Sequence, residues 1–259
     1  MNILFQGTGV FSEITVAEVS ELYGEKGRFR TLQFSGEAAQ GAADLDRPER
    51  VVFEYPRAML HLMEHNGRGG DDVFMVGCGA GTIIRHGQGL QVTAAEADPL
   101  VAEAAVKWFG VLADRIAVGD GRALLEQRPD ASLDFIVLDA FTAEGTPQHL
   151  TTLEFVRLTE CKLRPDGALL INLMGRKRND ARVGSVYAAL TEVYPYTRSF
   201  LLPSAAYGEG DLHNILLAGS GRPLSFQERQ MAGFQEFRAP EGYVIRDAQT
   251  WTQGRKTRK

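Results

Sequence analysis

Residues 73–98 read VFMVGCGAGTIIRHGQGLQVTAAEAD, and this order of residue types constrains the fold more than any other stretch. Residues 73–76 form a short apolar run, partly β-branched, as expected of a buried strand in a parallel sheet. Gly77, Gly79 and Gly81 follow at once, then a short helical segment over 82–86. A second apolar run, 92–95, ends in Glu96. Glycines let the backbone turn tightly and let a ligand approach without meeting a Cβ atom, with a helix N-terminus aimed at it. Glu96 stands about twenty residues beyond the first glycine, where a strand-tip carboxylate can accept both hydroxyls of a ribose. Strand, glycine turn, helix, strand and terminal acid together predict a nucleoside-binding α/β domain.

The alternation continues downstream. Asp98-Pro99 opens a predicted helix through Phe109, with proline in the first turn. A short strand over 116–118 ends in Gly119-Asp120-Gly121, and a helix is expected over 122–127. Strand 135–138 ends in Asp139. Helix 150–163 stops at Arg164-Pro165-Asp166-Gly167, before a buried strand over 168–173. A helix over 183–193, strands over 199–202 and 213–218, and a terminal helix over 226–237 complete the series. Such alternation predicts a doubly wound, mostly parallel, seven-stranded sheet of Rossmann type, with ligands at the carboxyl ends of its strands.

Upstream the pattern differs. Residues 14–19 and 28–34 alternate about a turn at Gly24 and Gly27, which predicts a hairpin packed on the main domain. Residues 38–50 read as polar and turn-like; residues 51–65 take helical spacing through Phe53, Met59, Leu60 and Met63. The expected organisation is a small β-rich region with a linking helix over 1–66, the nucleotide-binding domain over 67–245, and a basic, disordered tail over 246–259.

Composition narrows the function classes. A chain of 259 residues with 44% hydrophobic residues can bury a full core. A net charge of −5 argues against a nucleic-acid protein held by phosphate contacts. No apolar run approaches the length of a membrane span, and the first residues lack the basic start of a signal peptide, so a cytoplasmic protein is expected. Cys78 and Cys161 fall in predicted core elements without CxxC spacing, so neither a disulfide nor a zinc site is expected. His61 and His65 share a predicted helix face, but no acid or cysteine near them in sequence would complete a metal site.

Three acids at predicted strand tips carry the candidate chemistry. Glu96 suits ribose hydroxyls. Asp120 suits the exocyclic amine of adenine. Asp139 ends the fourth strand, where a transferred group would meet its acceptor. Asp98, before Pro99, reads better as a helix cap. His149 lies in the loop after Asp139 and suits a proton carrier or a helix cap equally. Arg176, Lys177, Arg178 and Arg182 follow the fifth strand and read as a solvated loop.

These residues resemble the spermidine synthase (polyamine aminopropyltransferase) family of the class I S-adenosylmethionine-dependent methyltransferase fold. The resemblance runs from about residue 36 to residue 218. The family's GGGDGG-type loop appears as Gly77-Cys78-Gly79-Ala80-Gly81-Thr82, its strand-tip acid as Glu96, and its GDGR motif whole as Gly119-Asp120-Gly121-Arg122. Its catalytic loop, DSxDPxGP then LFTxEF, is similar to 139–145 and 150–155; its YHE motif is reduced to Tyr55-Pro56-Arg57, and Tyr207 matches a tyrosine near its C-terminal loop. The resemblance implies a cofactor site at Gly77, Gly79, Gly81, Glu96, Asp120 and Gly121. It implies Asp139, Tyr55 and Tyr207 as catalytic residues and no metal. It further implies decarboxylated S-adenosylmethionine or S-adenosylmethionine as cofactor, a small amine as substrate, and a homodimer binding neither nucleic acid nor membrane. Two positions depart from the pattern. The aspartate that in the family holds the amine of the decarboxylated cofactor is here Ala80, and the second aspartate of the catalytic loop is here Thr142. The cofactor site is thus expected intact while the transferred group, aminopropyl or methyl, stays open. A catalytically idle nucleotide-binding relative is a further alternative. An NAD dehydrogenase fits less well, because it leaves the GDGR match and the Asp139 loop unexplained.

Overall fold

A computed structural model of the chain describes residues 1–35, 38–142, 144–203 and 212–248. Tyr207 and most of the basic tail therefore lie outside the described residues. The N-terminal part is a four-stranded antiparallel sheet, β1 (Asn2–Thr8), β2 (Glu13–Leu22), β3 (Glu25–Phe34) and β4 (Ala39–Asp44), paired in that order. The expected hairpin is β2 and β3; the sequence reading missed the strands on either side of it. Helix α1 (Glu54–Asn66) follows, turning Ala58, Met59, Leu62 and Met63 into the core.

The main sheet begins with β5 (Asp72–Val76) and continues through α2 (Thr82–His86), β6 (Gln91–Glu96), α3 (Pro99–Phe109), β7 (Ile116–Val118), α4 (Gly121–Glu126) and β8 (Leu133–Leu138). Then come α5 (Leu153–Lys162), β9 (Leu163–Gly175), α6 (Ala181–Val193), β10 (Tyr196–Leu201), β11 (His213–Ser220) and the two-residue β12 (Gln235–Glu236). Strand order is β12-β10-β11-β9-β8-β5-β6-β7, with β7 to β9 parallel and the last three antiparallel. The α/β expectation holds, and β12 makes the sheet eight-stranded rather than seven-stranded.

Two expectations are corrected. Residues 226–237 are not a helix: they hold one 3-10 turn, Glu228–Gln230, and the extended β12. Left-handed backbone at Ala232 and Gly233 breaks any helical continuation after it. Cys161 is exposed, not a core residue, although Cys78 is buried; both are free thiols. Among the described residues no helix is long and apolar enough to cross a membrane.

The N-terminal sheet is part of the fold rather than a loose appendage. Ile14, Val16 and Leu32 share a buried cluster with Ala80, Val101, Ala104 and Phe109. The Asp98 carboxylate accepts from Leu100 N at 2.9 Å, capping α3, and from Val10 N at 2.6 Å, fastening the β1–β2 turn to that cap.

Candidate functional site

The site follows from strand register. In the parallel ladder Val76 pairs with Ala95 and with Leu138, and Leu138 pairs with Ile171. The next residues along these strands, Gly77, Glu96, Asp139 and Asn172, therefore form one row, at the carboxyl ends of β5, β6 and β8 and within the longer β9. This is where a doubly wound sheet places its ligands.

Gly77 sits at φ +97°, a left-handed conformation that a side chain rarely adopts. A Cβ there would also collide with the carbonyl oxygen of Asp139, so the glycine lets β8 end directly against the turn. Gly79 is also left-handed, and a Cβ on it would meet nothing within 4 Å. That open space lies beside the Glu96 carboxylate, which accepts from Cys78 N at 2.9 Å, Gly79 N at 3.4 Å and Asp98 N at 3.0 Å. Gly81 caps α2 in the left-handed region. Burial and the Glu96 charge push the Cys78 thiol up to about 12, so it stays protonated at neutral pH.

Ala80 is turned away from this space. It is 3% exposed, packs in the cluster shared with the N-terminal sheet, and lies against Gly41 of β4.

Asp120 makes two contacts, one with each carboxylate oxygen. Its Oδ1 accepts from Ala123 N at 2.9 Å and caps α4, while its Oδ2 lies 2.8 Å from His149 Nε2. Partial burial raises the carboxyl, but the Ala123 amide and His149 outweigh it and leave Asp120 below its ordinary value. His149 thus pairs with Asp120 rather than with Asp139. Gly121 opens α4 under Val76. Arg122 donates from Nη1 to the His149 carbonyl at 3.1 Å and grips Asp247 with both terminal nitrogens at 2.8 and 2.7 Å.

Asp139 is partly buried and receives two donors. Asn172 Nδ2 donates to its Oδ1 at 2.9 Å, and the Tyr55 hydroxyl donates to the same carboxylate. Burial raises the Asp139 carboxyl, Asn172 and Tyr55 lower it, and the nearby Glu96 charge raises it; the balance lies above the usual aspartate value. Burial and the Asp139 charge hold the Tyr55 phenol well above its ordinary range, so Tyr55 remains a donor. Sequence reasoning did not single out Asn172. The available signal was a lone amide in the apolar run 168–173, one residue past the position paired with the strand before Asp139.

The loop after Asp139 is closed on itself. Thr142 and Gly145 exchange backbone hydrogen bonds at 3.0 Å, and Thr142 Oγ1 donates to Gly145 O at 3.0 Å. Arg182 Nη1 donates to Glu144 O at 2.8 Å, so one member of the basic cluster buttresses this loop. His61 and His65 stack at 5.2 Å, and His61 Nε2 accepts from Gln227 N, a packing role. Among the described residues no group of three or more His, Cys, Asp or Glu could hold a metal ion.

Comparison with known proteins adds relatives at this point. No protein-family model matches the chain. An N-terminal histidine N-methyltransferase of Emericella nidulans is 26% identical over 188 residues, 68% of this chain and 33% of that protein. A polyamine aminopropyltransferase of Vibrio vulnificus is 28% identical over 183 residues, 66% of this chain and 58% of that protein. The chain thus spans a third of the first and under three fifths of the second. Among solved structures, a probable spermidine synthase from Corynebacterium glutamicum superposes with TM-score 0.79 at 22% identity, covering 98% of this chain and 100% of its own. Human methyltransferase-like protein 13 in complex with SAH superposes with TM-score 0.53 at 22% identity, covering 70% and 90%.

Proposed function

We propose that this spermidine synthase-like chain of the class I methyltransferase fold transfers an alkyl group from an S-adenosyl sulfonium to an amine. One observation carries the reading: Asp139, paired with Tyr55 and Asn172, stands in the same strand-tip row as Glu96 and the glycine turn. The residues fit such a cofactor. Gly79 leaves open space beside Glu96, and Glu96 and Asp120 keep acceptor capacity for ribose hydroxyls and an exocyclic amine. When bound, the sulfonium supplies an activated carbon.

The protein must then orient a neutral amine and take up its proton. Tyr55 and Asn172 fix the Asp139 carboxylate, and Asp139 accepts the proton that the amine loses as it is alkylated. Aminopropyl transfer to a polyamine-type acceptor is the first reading, supported by the GDGR match and the likeness to aminopropyltransferases. Methyl transfer from S-adenosylmethionine is the second. One observation favours it: the histidine N-methyltransferase of Emericella nidulans is 26% identical over 68% of this chain. Tyr207 is proposed as a further wall of the acceptor site, and the family resemblance proposes a cytoplasmic homodimer.

Separate calorimetric titrations with S-adenosylmethionine and its decarboxylated form, each followed by turnover with putrescine and with less cationic amines, test the proposal. Binding of one form with amine-dependent product is the expected result. Binding of neither form would overturn the reading. Binding without turnover on any amine would leave a nucleotide-binding relative.

A further inference from the structure

Strand β9 is apolar where it crosses the core: Ala168, Leu169, Leu170, Ile171 and Leu173 are all buried. Asn172 interrupts that run at 2% exposure. Its Nδ2 donates to Asp139 Oδ1 at 2.9 Å, while its own Oδ1 is enclosed and has no hydrogen-bond partner among the described residues. The amide orientation follows from charge, because its oxygen turned toward a carboxylate would be repelled. A buried acceptor without a donor costs stability, and a leucine in this strand would avoid the cost. A polar residue kept in such a place against a local rule points to function.

We propose that Asn172 is a positioning residue for Asp139, fixing its carboxylate as a charged acceptor while leaving its own oxygen unpaired. The inference rests on Asp139 as the proton acceptor of the proposed transfer. In that step the amine lone pair forms the new N–C bond, the C–S bond breaks with its electron pair going to sulfur, and the proton on nitrogen passes to Asp139. Asp139 must therefore begin unprotonated. The groups facing it are Tyr55 from α1, Glu96 from β6 and Asn172 from β9. Burial and Glu96 favour its neutral form. Asn172 and Tyr55 oppose them, so loss of Asn172 leaves a single donor.

The test is titration of the Asp139 carboxyl by carbon NMR in the parent, in Asn172→Leu and in Asn172→Ala, assigned with Asp139→Asn. Asn172→Leu is expected to move the titration midpoint upward by about one pH unit, a tenfold change in proton affinity. The acid limb of turnover should move with it, and the thermal midpoint should hold or rise. Asn172→Ala removes the amide without bulk and should give the same upward move even if leucine disturbs the strand. Asn172→Gln, which keeps an amide, should lie between. An unchanged midpoint in a folded leucine or alanine variant would overturn the proposal. Absence of turnover in the parent would instead remove the transferase reading, while the titration still decides what Asn172 does.

Discussion

A Cβ on Gly41 would stand 2.5 Å from the Cβ of Ala80 and 3.3 Å from its backbone nitrogen. The glycine turn is therefore pressed against β4, and the side chain at position 80 belongs to the seam between the two sheets. This changes what the Ala80 departure means. An aspartate introduced there would be buried against apolar neighbours without a counter-charge. Ala80→Asp is expected to destabilise the protein by about 3–5 kcal/mol, the range for an uncompensated buried charge. Gly41→Ala should cost about 1–3 kcal/mol through overpacking. Denaturant melts measure both. An Ala80→Asp variant of parental stability that gains use of the decarboxylated cofactor would show that position 80 still faces the cofactor.

Glu96 holds the glycine turn through Cys78 N and Gly79 N even without a ligand. Its removal should therefore weaken nucleoside binding twice, through lost ribose contacts and through a looser turn. Glu96→Ala is expected to cost about 1–3 kcal/mol in affinity for S-adenosylhomocysteine. Glu96→Gln keeps an acceptor and should cost less. Calorimetric dissociation constants separate the two, and identical values for parent and alanine variant would place the ribose elsewhere.

Arg85 presents a different imbalance. Among the described residues its Nε and Nη2 are enclosed without a hydrogen-bond partner, and burial lowers its affinity for its proton. A guanidinium held this way opposes folding unless it serves a ligand. Arg85→Met should leave stability unchanged or raise it by up to about 3 kcal/mol. A thermal midpoint well below the parent's would mean that the arginine contributes packing that outweighs its desolvation.

How far the chain could be read in advance depended on whether local pattern and tertiary role agreed. Buried parallel strands are continuous apolar runs, and β5, β6, β8 and β9 were legible for that reason. β4 was not, because Ala39–Asp44 is small and polar and pairs, among the described residues, with β3 alone. Residues 226–237 imitate a helix because Met231 and Phe234, three apart, are both buried, yet they reach the core from an irregular segment. At the site, Glu96, Asp120 and Asp139 were visible as acids ending apolar runs. Asn172 emerges only when the register of β8 against β9 is known, since nothing local links it to Asp139.

The C-terminal segment closes on the side of the site where Asp120 and His149 pair. Asp247 accepts from both terminal nitrogens of Arg122 and from Thr152 Oγ1 at 2.6 Å, and its own N–H donates to Glu154. Ile245 O accepts from Leu153 N at 2.9 Å. Arg122 in turn holds the His149 carbonyl, and the His149 ring pairs with Asp120. Arg122 foremost lowers the Asp247 carboxyl from 3.8 to about 2. In the N-terminal sheet, Arg50 and then Arg47 lower Glu25 from 4.5 to about 2. Both groups have folded values below their unfolded ones, so their stabilisation is present above about pH 5 and is lost as pH falls towards 2. Stability should decline across that window, and Asp247→Asn should flatten part of the decline; the group is 42% exposed, so the share is small. The larger effect should fall on binding. Ending the chain at residue 244 frees Arg122 and with it the His149 turn, so affinity for S-adenosylhomocysteine should drop by about tenfold, 1.4 kcal/mol. Asp247→Ala should reproduce most of that loss with little change in thermal midpoint. If the shortened chain binds as tightly as the parent, residues 245–248 only pack against α5, and Asp120 and His149 are held by their own elements.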